Sequence, residues 1–465
     1  MPFPSKPVPF PSKEVTFSGH GLGPGYGLGQ WGAFGLAAAH HFTYQQILAN
    51  YYSDTAHPVT DATLSAKADA AIVSVVVEEN DNHAVTVTSP SPFTYTSSAG
   101  KTVATIPAGD AGRAVEISEH GTLTGLWEIE TAASCSAKSW KTVVVSVTDP
   151  TAVPASLQAT APTKDLLTLC RADGRGVTYR GRLEAYDYHG ASTGGKHLER
   201  TLSLVSIEEY VADVTPGESP SGWGTYGAAK TEPQGEPWGF QELEAQAIAS
   251  RTYLLYSIAS GGWYGYADIC DDVCEYYSDG IAWESPLSDL AVRDTAGQYL
   301  VQNKQPAPTE YSSSDGGYTE ALSYWNGQSI FDAAKDVGDS VCIVKQSLAC
   351  NPWHTWSAAV SVVAIEKAFP AVGTLVSVAV TSTDRSGRVT SLAIVGEKGT
   401  ASLSGVSFQE DFAFLSSMFV VTDGPGATKK ADPHALSAIS LGSGGPGFRP
   451  PVSPATTRML AGDQH

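Results

Sequence analysis

The sequence predicts an α+β fold in which an antiparallel, β-rich region packs against a helical block. Three observations carry this expectation. From about Ala70 to Val205, β-branched runs such as "HAVTVTSP", "KTVATIPAG" and "KTVVVSVTD" alternate with turn residues. From Ser206 to about Ser260, apolar residues recur at helical spacing. The 46 glycines and 28 prolines among 465 residues demand many turns. With 42% apolar and 16% charged residues, the composition is that of a folded chain long enough for two or three units, each with its own core.

The opening residues 1–16 repeat "PFPSK" and read as a disordered, extended lead-in. Residues 17–60 hold a glycine-rich motif and a short helix. Glycine stands at every second position from Gly19 to Gly29, which excludes a regular helix and describes backbone that turns tightly or is closely approached. Thr43 and Gln46 form a capping box for the helix that follows, with Ile47, Leu48 and Tyr51 on its apolar side.

Residues 61–205 form the β-rich part, and "AAIVSVVV" (Ala70 to Val77) reads as a buried strand. Residues 206–422 form the helical block and closing strands. Ser206 and Glu209 make a second capping box, and Ile207, Tyr210, Val211 and Val214 line one face of a helix that Pro216 and Gly217 are expected to end. A second helix, "QELEAQAIASRTYLLYSIA", sets Leu243, Ala247, Leu254 and Ile258 on one stripe before Gly261-Gly262. Residues 423–465 turn to Gly, Pro, Ala and Ser and read as a disordered tail.

Charge and cysteines narrow the functional classes. With 28 basic and 48 acidic residues, the net charge of −20 repels phosphate backbones, so nucleic acid is not an expected partner. An acid with so few charged residues suits work on a neutral polymer. Six cysteines (135, 170, 270, 274, 342 and 350), two pairs of them close in sequence, read as local disulfides of an exported protein. Zinc at Cys270 and Cys274 is the weaker alternative, because the C-x₃-C spacing lacks a matching second pair; no cofactor is expected. No apolar run reaches the length of a membrane span. The proline-rich start lacks the apolar centre of an export signal, so export implies an upstream start or an already mature chain.

Several residues are candidates for chemistry. In "VTPGESPSGWG", Glu218 reads either as a solvated loop carboxylate or as a general acid partly dried by Trp223 and Tyr226. Arg251 borders the apolar stripe of the second helix, half buried, and needs a partner: Glu244 seven residues earlier, or an acid at the site. "YSSSDGGYTE" (Tyr311 to Glu320) clusters hydroxyls before a Gly-Gly turn, which suits sugar recognition or an ordinary hairpin. No GxSxG surrounds these serines, and no Lys-Ser/Thr follows the glycine-rich stretch, which sets aside nucleophilic hydrolase chemistry and a phosphate loop.

Taken together, "SIEEYVADVTPGESP", "ELEAQAIASRTYLLY", "DICDDVCEYYSDG", "AVRDTAGQYLV" and "YSSSDGGYTEALSYW" stand in the order seen in the SpoIID/LytB domain family, which this chain resembles over most of Phe17 to Val421. "GVSFQEDFAFLSSMF" resembles that family's last core element, and "GHGLGPGYGLGQWGAFGLAAAHHFTYQQILANYY" its GQ-GA motif with the tyrosine-rich helix. The resemblance implies a secreted, cell-wall-associated bacterial protein acting on peptidoglycan glycan strands. Lytic transglycosylases cleaving between MurNAc and GlcNAc are one branch, enhancers of cell-wall amidases another, and a purely structural surface protein is a third reading. It implies catalytic roles for Glu218, Arg251 and Tyr311, and substrate-positioning roles for Gln246, Ser312, Ser313, Ser314 and Thr319. The chain departs from the family pattern in three places. Glu244 replaces a lysine, "GTYGAAKTEPQGEPWG" is inserted after Glu218, and the glycine-rich motif has Pro24 and Leu28-Gly29 where the family commonly has His and Met-Ser.

Overall fold

The computed structural model describes residues 9–53, 56–60, 72–189, 193–227, 235–271, 274–277, 279–323, 329–344 and 348–427. The first eight residues of the expected lead-in, residues 61–71, the middle of the insertion (228–234) and the tail from residue 428 onward lie outside the described residues.

The expected α+β class is what the chain adopts. Five helices build the central part: α1 (Gln30–Ala38), α2 (Tyr44–Tyr51), α3 (Ile207–Glu218), α4 (Phe240–Ala259) and α5 (Pro286–Asp294). Both expected capping boxes form, with Thr43 and Ser206 each accepting from the backbone N–H three residues on. The β-rich part makes two sheets. One has six strands in the order Lys141–Val147, Thr122–Ala132, Ala111–Glu119, Val85–Thr88, Leu167–Cys170, Gly176–Tyr179. The other has seven, from an edge at Ile269–Cys270 through Ile72–Val76, Leu198–Ser206, Arg182–Tyr188, Thr151–Val153 and Phe93–Thr96 to Thr102–Ile106. Alternation does what period two requires: in Arg182–Tyr188, Leu183 and Ala185 turn into the core while Glu184 and Tyr186 turn outward.

One core joins the sheets to the helices. Val75, Trp127 and Leu169 pack in the same cluster as Tyr210 and Val211 of α3 and Leu254 of α4. The boundary expected at 205/206 therefore passes through a shared interior. A second core packs Leu28, Leu36 and Ile47 of the glycine-rich segment and its helices against Ile248 of α4 and Leu300. The N-terminal motif is thus built onto the helical block.

Two expectations need correction. The lead-in ends earlier than residue 16, because Glu14–Gly19 is a strand between Trp356–Ser361 and Phe419–Val421, with Val15 and Phe17 buried. Its period-two pattern (Val15 and Phe17 in, Thr16 and Ser18 between) follows directly on the proline-rich repeat that masks it. Phe17 meets Phe408, Phe414 and Phe419 with ring centroids 5.4, 4.9 and 5.8 Å away, which ties the start of the chain to its closing elements in a third core.

The second correction concerns α3, which runs through Pro216 to Glu218. A proline this close to a helix end removes a single backbone donor, and the Ser219 N–H still bonds the Thr215 carbonyl at 2.9 Å. Gly217 is needed for another reason. A Cβ there would sit 2.5 Å from the Tyr276 ring and 2.9 Å from the Tyr276 carbonyl oxygen.

Phe17→Ala should lower stability by roughly 3–5 kcal/mol, the usual cost of emptying a buried aromatic site. Urea unfolding reads this directly. A midpoint equal to that of the unsubstituted chain would mean that the aromatic cluster does not hold the two ends together.

Candidate functional site

Glu218 is the last residue of α3, and its carboxyl is buried (4% exposed) rather than lying in a solvated loop. Three donors reach it. The Tyr276 backbone N–H donates to Oε1 at 2.7 Å, and the Gln30 side-chain amide donates to Oε2 at 2.9 Å. The Tyr311 hydroxyl also lies within hydrogen-bonding reach. Burial pushes the carboxyl above its ordinary pKa of 4.5 and outweighs these three bonds, each of which favours the charged form.

Each partner is delivered by a different element. Gln30 opens α1, directly after the two-residue strand Leu28–Gly29. That strand pairs in parallel with Tyr311–Ser312, with Leu28 opposite Tyr311 and Gly29 opposite Ser312, so Gln30 and Tyr311 arrive on one side of Glu218. The positive φ values of Gly21, Gly23, Gly25 and Gly27 let the segment before it fold tightly enough to make this pairing. Tyr276 comes from the loop after the sheet-edge strand Ile269–Cys270, where a disulfide joins Cys270 to Cys274.

The structure adds a carboxylate that the sequence reading left unassigned. Glu275 is buried next to this site, accepting from the Tyr311 hydroxyl at Oε1 and the Tyr210 hydroxyl at Oε2, both at 2.6 Å. Burial pushes its pKa up to about 8, against the hydrogen bonds of Tyr210 and Tyr311 and with the help of the Glu218 charge. Tyr311 therefore stands between two buried carboxyls, an arrangement that keeps a proton available near neutral pH. In the sequence it is an acid between Cys274 and a Tyr-Tyr pair, within the stretch "DICDDVCEYYSDG" that resembles the family. Gln30 sits likewise in the GQ-GA motif without any local mark of its destination.

Other expected site residues lie elsewhere. Arg251 is fully buried on α4 and spends all five of its N–H donors inside the protein. It grips Glu208 with Nε and Nη2 at 2.8 and 2.7 Å and reaches the carbonyls of Ala247, Gln298 and Val292. It thus pairs with neither Glu244 nor Glu218; its partner comes from α3, forty-three positions away in the chain. Glu244 itself is buried and accepts from Gln241 at 2.6 Å. Gln246 donates to Ser250 at 3.1 Å, and Ser250 in turn bonds Glu275, so Gln246 supports the second carboxyl at one remove.

The hydroxyls expected to meet a sugar turn inward. Ser312 accepts from the Gly25 N–H at 2.8 Å, Ser314 donates to Asp339 at 2.7 Å, and Thr319 bonds both the N–H and the carbonyl of Ala334. Ser313 is buried, and its carbonyl accepts from the Trp31 N–H at 3.1 Å. These four residues shape the loop that carries Tyr311. Trp223 stacks on Phe34 of α1 at 4.7 Å and meets Trp31 edge-on at 4.8 Å.

The six cysteines pair as 135–170, 270–274 and 342–350. Both sulfurs of the C-x₃-C pair are thereby used in a bond to one another. Among the described residues, two other groups present ligand atoms close together: Asp187 with His189 and His197, and Asp315 with Asp336 and Asp339. In the first, both imidazole Nδ1 atoms already meet one Asp187 oxygen, at 2.9 and 2.7 Å.

Two measurements test these assignments. Arg251→Met leaves Glu208 without its cation and should cost about 3–5 kcal/mol in urea unfolding; an unchanged midpoint would refute the structural role. For Glu275 the folded pKa lies above the unfolded one, so its stabilising contribution is complete below about 4.5 and is lost as pH rises through about 8. Melting temperatures of Glu275→Gln should therefore fall less than those of the unsubstituted chain across that window. Parallel curves would overturn the assignment.

Residues 196–302 match the family model described as SpoIID, stage II sporulation protein. A curated protein of Bacillus subtilis (strain 168) named amidase enhancer is 31% identical over 135 residues, which is 26% of this chain and 18% of that relative. This chain thus spans about a fifth of the relative's length. The family match contains Glu218, Arg251 and Glu275, whereas Gln30 and Tyr311 come from outside it. The matched segment includes the end of α3 at Glu218, and over that segment the chain is similar to the SpoIID family.

Proposed function

We propose that this protein acts on bacterial cell-wall glycan strands as a lytic transglycosylase, with Glu218 as the general acid and base. The observation that carries the reading is the buried Glu218 carboxyl, raised in pKa by burial and held by Gln30, Tyr276 and Tyr311. A carboxyl whose protonated form is favoured by burial donates its proton to the glycosidic oxygen as the C–O bond breaks through an oxocarbenium-like state. The resulting carboxylate then takes the proton of the same sugar's 6-hydroxyl as that oxygen closes on C1. The proton returns to Glu218, a 1,6-anhydro end forms, and no water is consumed. Tyr311 donates to Glu275 and lies within reach of Glu218, and so stands between the two carboxyls. Full pairing of the cysteines supports work in an oxidising, extracytoplasmic setting. Among the described residues, no helix is long and apolar enough to cross a membrane.

The name of the Bacillus relative favours a second reading, in which the protein binds the wall and stimulates an amidase. The depth of Glu218 is compatible with a purely structural carboxyl in that role.

Mass spectrometry of peptide-stripped glycan strands after incubation with the protein separates the two. The first reading expects fragments with 1,6-anhydro ends, lost by at least about 100-fold in Glu218→Gln. Absence of such fragments, together with stimulation of an added amidase by both the unsubstituted chain and Glu218→Gln, establishes the second instead.

A further inference from the structure

Asp315, on the loop that carries Tyr311, meets two further acids. Asp315, Asp336 and Asp339 are 0%, 3% and 0% exposed, and one oxygen from each lies within 4.8 Å of the others. Three carboxylates this deep and this close repel one another strongly unless a cation or a shared proton intervenes. Arg388 does not do so: its Nη2 donates to the Asp315 backbone carbonyl rather than to its carboxylate. His354 reaches Asp339 alone, at 2.6 Å.

The backbone orients these carboxylates as it would for a ligand. The Gly317 N–H holds Asp315 Oδ1 at 2.8 Å, and the Gly338 N–H holds Asp336 Oδ1 at 2.8 Å. Each remaining oxygen is thereby turned inward. Both converge beside Gly29, where a Cβ would stand 3.1 Å from Asp315 Oδ2 and 3.2 Å from Asp336 Oδ2. Tyr51 donates to Asp336 Oδ2 at 2.6 Å, but among the described residues Asp315 Oδ2 accepts no hydrogen bond despite its complete burial. A buried carboxylate oxygen that receives no donor and faces other carboxylates is a position a metal ion satisfies, in place of the proton that Asp315 and Asp336 otherwise share.

We propose that Asp315, Asp336 and Asp339 bind a calcium-type divalent cation that clamps the glycine-rich segment to the Tyr311 loop. The donor set is all oxygen, which selects a hard cation over zinc or copper. The position explains what such an ion does. Gly29 precedes Gln30, and Asp315 follows Tyr311 by four residues, so the clamp holds both strands that bring donors to Glu218. This inference stands on the aspartate geometry and does not rest on glycan cleavage.

The test uses the whole protein, freed of metal with a chelator and passed through gel filtration. On adding Ca²⁺, elemental analysis should show one tightly held equivalent, and the melting temperature should rise by several degrees. Asp315→Asn and Asp336→Asn should lose both the equivalent and the rise. Absence of uptake by the unsubstituted chain overturns the proposal, as does an Asn variant that retains the equivalent, since its ion would then sit elsewhere on this acidic surface. If the variants fail to fold by circular dichroism, crystals of the unsubstituted protein soaked in Tb³⁺ decide the matter. An anomalous peak between the three carboxylates upholds the site, and a peak elsewhere, or none, overturns it.

Discussion

The structure depends on one expensive arrangement: a carboxyl placed at the end of a helix and taken out of water. Glu218 ends α3, where the helix dipole already disfavours negative charge, and burial adds a larger penalty. Such a group persists only if its oxygens are matched by donors. The chain supplies them from a glycine-rich segment, a disulfide-closed loop and a hydroxyl-rich loop. Much of the surrounding architecture serves to bring those three together. Gly217 lets the Tyr276 backbone approach, and the parallel pair of two-residue strands sets Gln30 beside Tyr311. Ser312 then fastens that pairing through Gly25.

The second buried carboxyl makes the site more than a single acid. Glu275 takes hydrogen bonds from two tyrosines, and the charge of Glu218 adds to the burial that raises its pKa. Arg251 serves a different end. By saturating its guanidinium on Glu208 and three carbonyls, it locks α3 to α4 and to the strand at Gln298, which fixes the helix that presents Glu218. Its influence on the site is exerted through the backbone.

The local features were legible. Both capping boxes, the apolar side of α2, the end of α4 and the turning glycines follow from rules that act over a few residues, and the structure shows each of them. So was the identity of Glu218 as a residue of interest, because a lone acid among helix breakers is unusual. The end of α3 was misjudged because the cost of a proline depends on how near the helix terminus it stands, and that terminus was itself unknown. The pairing of the strand at Glu14–Gly19 has no local signal because its partners lie about four hundred residues away at Phe419–Val421 and about 340 away at Trp356–Ser361.

What the sequence determined by itself was therefore the fold class, the helices with their caps, and the short list of polar residues from which a site is made. Only the tertiary structure decided which of them meet. Gln30 and Glu218 are 188 positions apart, Tyr276 and Glu218 58, and Arg251 and Glu208 43. No periodicity links such pairs. A buried charge takes whichever partner the packing of apolar faces brings within about 3 Å, and desolvation then decides its chemistry. That is why Arg251, for which the family likeness implies a catalytic role, meets Glu208, why Ser312 and Ser314, for which it implies substrate positioning, meet Gly25 and Asp339, and why Glu275, which carries no local signal, stands between two tyrosines beside Glu218.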